Sequence, residues 1–277
     1  MLPNAYWIEA APAVLRHVGA PIDVNCVLVL GEERALVVDT GSSAAEGHRL
    51  HKEVGALAGA RPQVVVNTHA HYDHCFGNFA FQGCEIWAAR GCVADLAATG
   101  SHQRESAAGW WRSRDPEFAR DLEATPIFPA DRVVECRRAL DLGGLVAELR
   151  LVGRGHTDHD LVVWLPGRSL LIAGDLVEES SAPQLEDAYP LAWADRVDDL
   201  LRLQPTMVLP GHGAAVDAQF VRSQGRALRR LGSWCARHRG EAVVGRPPRG
   251  WTQDSARVAL RRALFEAGDE VGSAGPD

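Results

Sequence analysis

Lysine is almost missing from this 277-residue chain: only Lys52 is present, so arginine carries nearly all the positive charge. The formal net charge is −7, and no long basic run occurs. Phosphate contacts need clustered Lys and Arg, which argues against a nucleic-acid partner. Cysteine is sparse and scattered. Cys26, Cys75, Cys84, Cys92, Cys136 and Cys235 include no CxxC pair. That excludes a zinc ribbon and a disulfide framework, and a reduced, intracellular setting fits. The opening stretch, MLPNAYWIEAAPAVLRHVG, lacks the charged start and apolar core of a signal peptide. No apolar run approaches the length that spans a bilayer. A cytoplasmic protein without a membrane partner is the expectation. The nucleophile-elbow pattern GxSxG is absent too, which removes the main serine-hydrolase competitor.

What is present is ordinary in bulk. Apolar content of 46% and charged content of 23% are those of a globular protein, and the length suits one large domain. Residues 22–30 (IDVNCVLVL) and 34–39 (RALVVD) read as strands joined in a hairpin at Gly31-Glu32-Glu33. Ser43 is placed to cap a helix running to about residue 59. Further strands are expected at 63–67, 84–88, 132–135, 145–152, 160–165, 169–173 and 206–209. Helices are expected over 91–123 and 191–203. From 217 the chain reads as two helices split by GRPPRGW (245–251), ending in a frayed Gly/Ser/Pro tail. The chain also echoes itself. ERALVVDTG, a helix and QVVVNTHAH are followed later by RSLLIAGDL, a helix and PTMVLPGHG. Two such βα halves would pack two sheets face to face with helices outside.

The chemistry concentrates at strand exits. Directly after the strand at 63–67 comes THAHYDH, which puts His69, His71, Asp73 and His74 into six positions. Alternation at the extended start of that loop sends His69 and His71 the same way. Two imidazoles on one side, with a third ligand from elsewhere, suit tetrahedral zinc, while Asp73 and His74 point to a neighbouring position. Three more polar residues share this grammar of a strand exit beside glycine. They are His156 in RGHTDHD, Asp175 in LLIAGDL and His212 in VLPGHGAA. Any one of them alone reads as a turn or surface residue. Crowded together without a cation they would be costly.

These motifs, with Asp39 in VVDTG, come in the order found in the metallo-β-lactamase-fold hydrolase superfamily, and the chain resembles that family over residues 22–213. The resemblance implies a mixed α/β fold, a four-layer αββα sandwich. It implies a catalytic domain at 1–216 and a helical extension at 217–277 packed on it. It implies two divalent cations, zinc first, with iron or manganese as alternatives. His69, His71 and His156 resemble the ligands of the first metal, and Asp73, His74 and His212 those of the second. Asp175 resembles the carboxylate that bridges both, and Asp39 a residue that orders the ligand loop through hydrogen bonds. Asp73 is also the expected catalytic carboxylate. A water activated between two cations would attack an ester-like bond in a small molecule: ester, thioester, lactone or amide.

The bridging Asp175 resembles the glyoxalase-II and lactonase branch. A mononuclear iron persulfide dioxygenase is the alternative, and a β-lactamase a further one. One departure stands out. Relatives often read GHTxGH, whereas this chain reads Gly155-His156-Thr157-Asp158-His159-Asp160, with the second His shifted. Tyr189, Trp193 and His159 are candidate pocket residues. Cys75, next to His74, is read as a small buried residue and not a ligand. A homodimer is the default assembly.

Overall fold

The computed structural model describes residues 7–61, 63–239 and 245–268. The expected frayed tail lies outside the described residues. The described residues form twelve strands and seven α-helices. The first half holds β1 (Trp7–Ala11), β2 (Val14–Gly19), β3 (Val24–Leu30), β4 (Ala35–Val38), α1 (Ala44–Ala58), β5 (Gln63–Val66), α2 (Tyr72–Cys75), β6 (Glu85–Ala89), α3 (Arg90–Trp111), α4 (Pro116–Glu123) and β7 (Arg132–Val134). The second holds β8 (Arg137–Asp141), β9 (Val146–Gly153), β10 (Asp160–Leu165), β11 (Leu170–Glu178), α5 (Trp193–Leu201), β12 (Met207–His212), α6 (Ala218–His238) and α7 (Gln253–Glu266).

The strands follow one hydrogen-bonded path, β7-β6-β5-β4-β3-β12-β11-β10-β9-β8, with β2 also on β3 and β1 on β2. Among the described residues, strand pairing between the two halves is at His212 opposite Val24. Alternation along β10 and β11 shows how the path folds on itself. Leu161, Val163, Leu165 and Ile172 share one core cluster with Val27, Val37 and Val65 of the other half. Val162, Trp164, Leu171 and Ala173 point the opposite way, into a second cluster with α5, α6 and α7. A period of two therefore serves two layers at once. The result is a helix–sheet–sheet–helix sandwich.

The echoed halves are both parallel pairs bridged by a helix: β4 with β5 through α1, and β11 with β12 through α5. β4 and the Val64–Val66 stretch of β5 are buried on both faces, as their unbroken apolar runs require. Ser43 caps α1 by accepting from the Glu46 amide.

The structure differs from expectation in one helix, in β1, β2 and β8, and in the length of β11. The helix over 91–123 is broken. Asp115 precedes Pro116, stays extended (φ −144°, ψ 91°) and caps α4 through the amides of Glu117 and Phe118. The β1–β2 hairpin and β8 were not anticipated, because their sequences alternate too weakly. β11 runs on past Asp175 to Glu178, where pairing with β12 continues to His212. Gln224 of α6 holds that extension, donating to the Leu176 carbonyl and accepting from the Glu178 amide.

Candidate metal centre

Segments from four strands meet at one edge of the sandwich. The loop after β5 brings His69 and His71, and α2 brings Asp73 and His74. The loop after β9 brings His156, β11 brings Asp175, and the end of β12 brings His212. Ligand atoms of His69, His71, His156 and Asp175 lie within 4.8 Å of one another, and so do those of Asp73, His74 and His212. Asp175 stands between the sets. Its Oδ2 is 3.9 Å from His69 Nε2, 3.7 Å from His156 Nε2 and 3.7 Å from His212 Nε2. Its Oδ1 is 3.2 Å from His74 Nε2. Donors about 2.1 Å from a tetrahedral cation sit about 3.4 Å apart, so these spacings are those of a shared coordination site.

Glycine makes this approach possible. A Cβ on Gly211 would stand 1.7 Å from Asp175 Oδ1, so the residue before His212 has no room for a side chain. From the other side, Asn25 of β3 donates to the carbonyls of Pro210 and Gly213 and holds the PGHG turn in place.

The imidazoles are oriented by partners behind them. Asp39 is buried with φ of 60°, and its carboxylate accepts from the Thr68 amide, the Thr68 hydroxyl and His74 Nδ1, each at 2.8 Å. With its proton given to Asp39, the Thr68 hydroxyl accepts from His69 Nδ1 at 3.0 Å. One carboxylate thus places the protons of His69 and His74 on Nδ1 and leaves both Nε2 lone pairs facing inward. Those two nitrogens and Asp175 Oδ1 are buried and have no hydrogen-bond partner among the described residues. His212 directs Nδ1 to the Ile22 carbonyl and Nε2 to Asp73 Oδ2 at 3.2 Å.

His71 is turned the other way. Its Nε2 donates to Asp187 Oδ2 at 2.7 Å, and its Nδ1 lies 3.0 Å from His156 Nε2. Without a cation that contact is tolerable only if one ring carries the proton between them. Burial opposes charge on His71, but the carboxylates of Asp187, Asp73 and Asp175 outweigh it and raise its pKa to about 9. Burial, then the neighbouring His71, lowers His156 to about 4. His212 is likewise raised to about 9, Asp175 and Asp73 overcoming its burial. Asp73 is buried, yet His74 and His212 hold it down at about 2. A cation in each set would take over the role these protons play, so the residues present fit a metal pair.

A family model described as the metallo-beta-lactamase superfamily matches residues 19–212. The chain belongs to the metallo-beta-lactamase superfamily. Among relatives of this superfamily, a Bacillus cereus protein named metallo-beta-lactamase type 2 is 35% identical over 83 residues, 28% of this chain and 32% of that protein. The chain therefore spans about a third of the length of the first curated relatives it matches. A probable metallo-hydrolase of Bacillus subtilis, YqgX, is 23% identical over 74% of this chain and 92% of its own length. Among solved structures, a metallo-beta-lactamase from Pontibacter korlensis superposes with a TM-score of 0.63 at 19% identity, covering 79% of this chain and 98% of that one. The DIM-1 metallo-beta-lactamase gives 0.63 at 19% identity, covering 79% and 94%. Identity that low speaks to the fold alone.

Within this superfamily frame the pocket candidates separate. Tyr189 lines a large cavity next to the centre. His159 lines it too, but both ring nitrogens are engaged, by the Ala70 amide at 3.2 Å and by Asp158 at 2.6 Å, so it steadies the ligand loop. Trp193 is a correction. It is fully buried, donates to the Leu176 carbonyl and packs edge-on against the His156 ring, lining neither cavity at the site. An apolar ring that can fill the space behind a buried strand end is drawn there by burial, not held at a surface. Cys75 is buried, with Sγ 3.0 Å from the His71 carbonyl, and is in neither ligand group.

Sequence reasoning missed three acids. Asp187 orients His71. Asp160 accepts from the amides of His156 and Thr157 and from the Thr157 hydroxyl, shaping the turn that carries His156. Glu178, buried with Oε1 3.9 Å from His156 Nδ1, is raised to about 8 by burial and by Asp175. The GHTDHD departure was the available signal for Asp160. Nothing local marks Asp187 or Glu178.

Proposed function

We propose that the chain is a hydrolase working with two divalent cations, zinc before iron or manganese, and that it cleaves an ester-like bond in a small molecule. The observation that carries this reading is the meeting of two donor sets at Asp175, with His69 Nε2, His74 Nε2 and Asp175 Oδ1 buried and without a hydrogen bond among the described residues. Buried polar atoms left this way are expensive unless a ligand completes them. Imidazole and carboxylate donors with no thiolate suit zinc and also accept iron and manganese. Cations held there would supply Lewis acidity and acidify water for attack on a carbonyl carbon.

The chain's own groups do the rest. Asp39 fixes the tautomers of His69 and His74, and Asp187 that of His71. Asp73 lines the cleft with Asp175 and His212, where its carboxylate can orient a nucleophile and pass a proton to a leaving group. The cleft, about 470 Å³, has room for a small carbonyl centre. A carboxylate standing between two sets supports the glyoxalase-II and lactonase-like branch. A mononuclear iron dioxygenase would need only one set.

The test is elemental analysis of protein purified without added metal, followed by ester, thioester, lactone and β-lactam panels. About two zinc per chain, with hydrolysis abolished by chelator, is expected. One iron per chain with oxygen uptake on a persulfide would overturn the reading, and turnover confined to the β-lactam would replace its substrate class.

A further inference from the structure

The cleft over the donor sets is open on one side. Past His71, Tyr72, Gln184 and Glu186, which line both spaces, lies a second cavity of about 1130 Å³. It runs between α3 and α7. Small residues of α3, Gly91, Ala94 and Ala107, line it together with Trp110, Tyr189 and Phe265. Trp110 is 54% and Phe265 59% exposed, large rings left in solvent at the rim of one groove. Rings placed like that around a concavity mark a binding surface.

Charge in the groove is one-sided. Asp95, Asp158, Glu186 and Asp187 line it against the single guanidinium of Arg262. Arg262 is already engaged. It donates to the Asp187 and Ala188 carbonyls at 2.6 and 3.0 Å and lies over the Tyr189 and Phe265 rings. An anionic group entering here would meet these carboxylates and find the groove's one guanidinium already occupied.

We propose that the substrate carries an uncharged apolar acyl arm, medium-chain aliphatic or aryl, which lies in the α3–α7 groove while its scissile carbonyl reaches the cleft beside His71. This rests on the hydrolase reading and narrows it. It commits to acyl substrates with an extended apolar side and excludes those whose acyl arm ends in a carboxylate.

The test is a thioester series from acetyl to octanoyl, with adipoyl set against hexanoyl, on the zinc-loaded full chain. The expectation is that kcat/KM rises about two- to fourfold per methylene, and that adipoyl is roughly tenfold poorer than hexanoyl. Ala94→Phe and Ser106→Phe, at exposed positions facing the groove, should lower the octanoyl-to-acetyl ratio about tenfold, with metal content and thermal midpoint checked for folding. Octan-1-ol, which cannot be hydrolysed, is the second probe. It should saturate a tryptophan fluorescence change that Trp110→Phe removes. Turnover without a chain-length slope, and without octanol saturation, overturns the groove assignment and spares the hydrolase. Octanol saturation with no acyl turnover at any length does the reverse. A groove closed by a second copy of the chain would show a doubled mass and no octanol binding, and would also overturn the proposal.

Discussion

Asp39→Asn replaces one atom and should weaken both donor sets together. The carboxylate has three donors, two of them on Oδ2: the Thr68 hydroxyl and His74 Nδ1. Suppose the new amide group takes the Oδ2 place. His74 Nδ1 must then accept, which moves its proton to Nε2 and removes the inward lone pair. The Thr68 hydroxyl is pushed to donate to His69 Nδ1, and His69 flips in the same way. If the amide turns over, it meets the Thr68 amide head-on. Each buried donor then left unpaired costs about 1–3 kcal/mol. Losing such an orienting partner typically costs 10- to 100-fold in metal affinity, about 1.4–2.7 kcal/mol. The assay is chelator-competition titration of zinc, resolved into two sites, on protein shown folded by circular dichroism. Thr68→Val is the internal comparison. It removes the hydroxyl between Asp39 and His69 but leaves His74 Nδ1 on Asp39, so it should weaken the first site far more than the second. A folded Asp39→Asn protein that binds two zinc ions as tightly as the parent would refute the relay.

Three other perturbations follow from the same geometry. Asp187→Asn should lower zinc affinity by about tenfold or less, since Asp187 is 46% exposed and an asparagine oxygen can still accept from His71 Nε2; the same titration reads it. Gly211→Ala places a methyl 1.7 Å from Asp175 Oδ1, so the carboxylate must move and elemental analysis should find both sites depleted. Metal-free protein should lose stability as pH rises toward 9, read by thermal melts across that range. The signs agree: His71 and His212, raised to about 9, contribute stability that is full below their unfolded value of 6.5 and gone above 9, and Glu178, raised to about 8, also favours the protonated folded state. Zinc affinity should rise over the same window, because the protons on His71 and His212 must leave.

How much of this was legible beforehand depends on how locally each residue's reason is written. His69, His71, Asp73 and His74 sit within six positions after an apolar strand, so spacing alone brings them together. His156, Asp175 and His212 lie far apart in sequence, yet each has glycine beside it; His156 follows β9, Asp175 lies late in β11 and His212 ends β12, and parallel pairing of β11 with β12 sets the last two side by side. Asp187 has no such mark. It sits in a Pro- and Ser-rich loop among other acids, and only the backbone path of that loop brings it to His71. Trp193 misled for the converse reason: near Tyr189 in sequence, it turns inward one helical turn later. β1, β2 and β8 were missed because short strands with mixed faces carry little period-two signal.

The C-terminal helices look like an appendix in sequence, since every expected ligand precedes residue 217. Their contacts say otherwise. Gln224 of α6 ties the Leu176 carbonyl and the Glu178 amide, fixing the strand just beyond Asp175. Arg262 of α7 holds the carbonyls of Asp187 and Ala188, and Asp187 in turn holds His71. The same α7 presents Phe265 to the groove. The extension is therefore linked to two donors of the first set: to Asp175 through the backbone that Gln224 holds, and to His71 through Arg262 and Asp187. Disturbing α7 should change metal affinity and acyl preference together, whereas disturbing α6 should reach Asp175 without altering the groove. That separation follows from where each helix touches the site, and it gives the two helices different functions despite their shared packing in one apolar cluster.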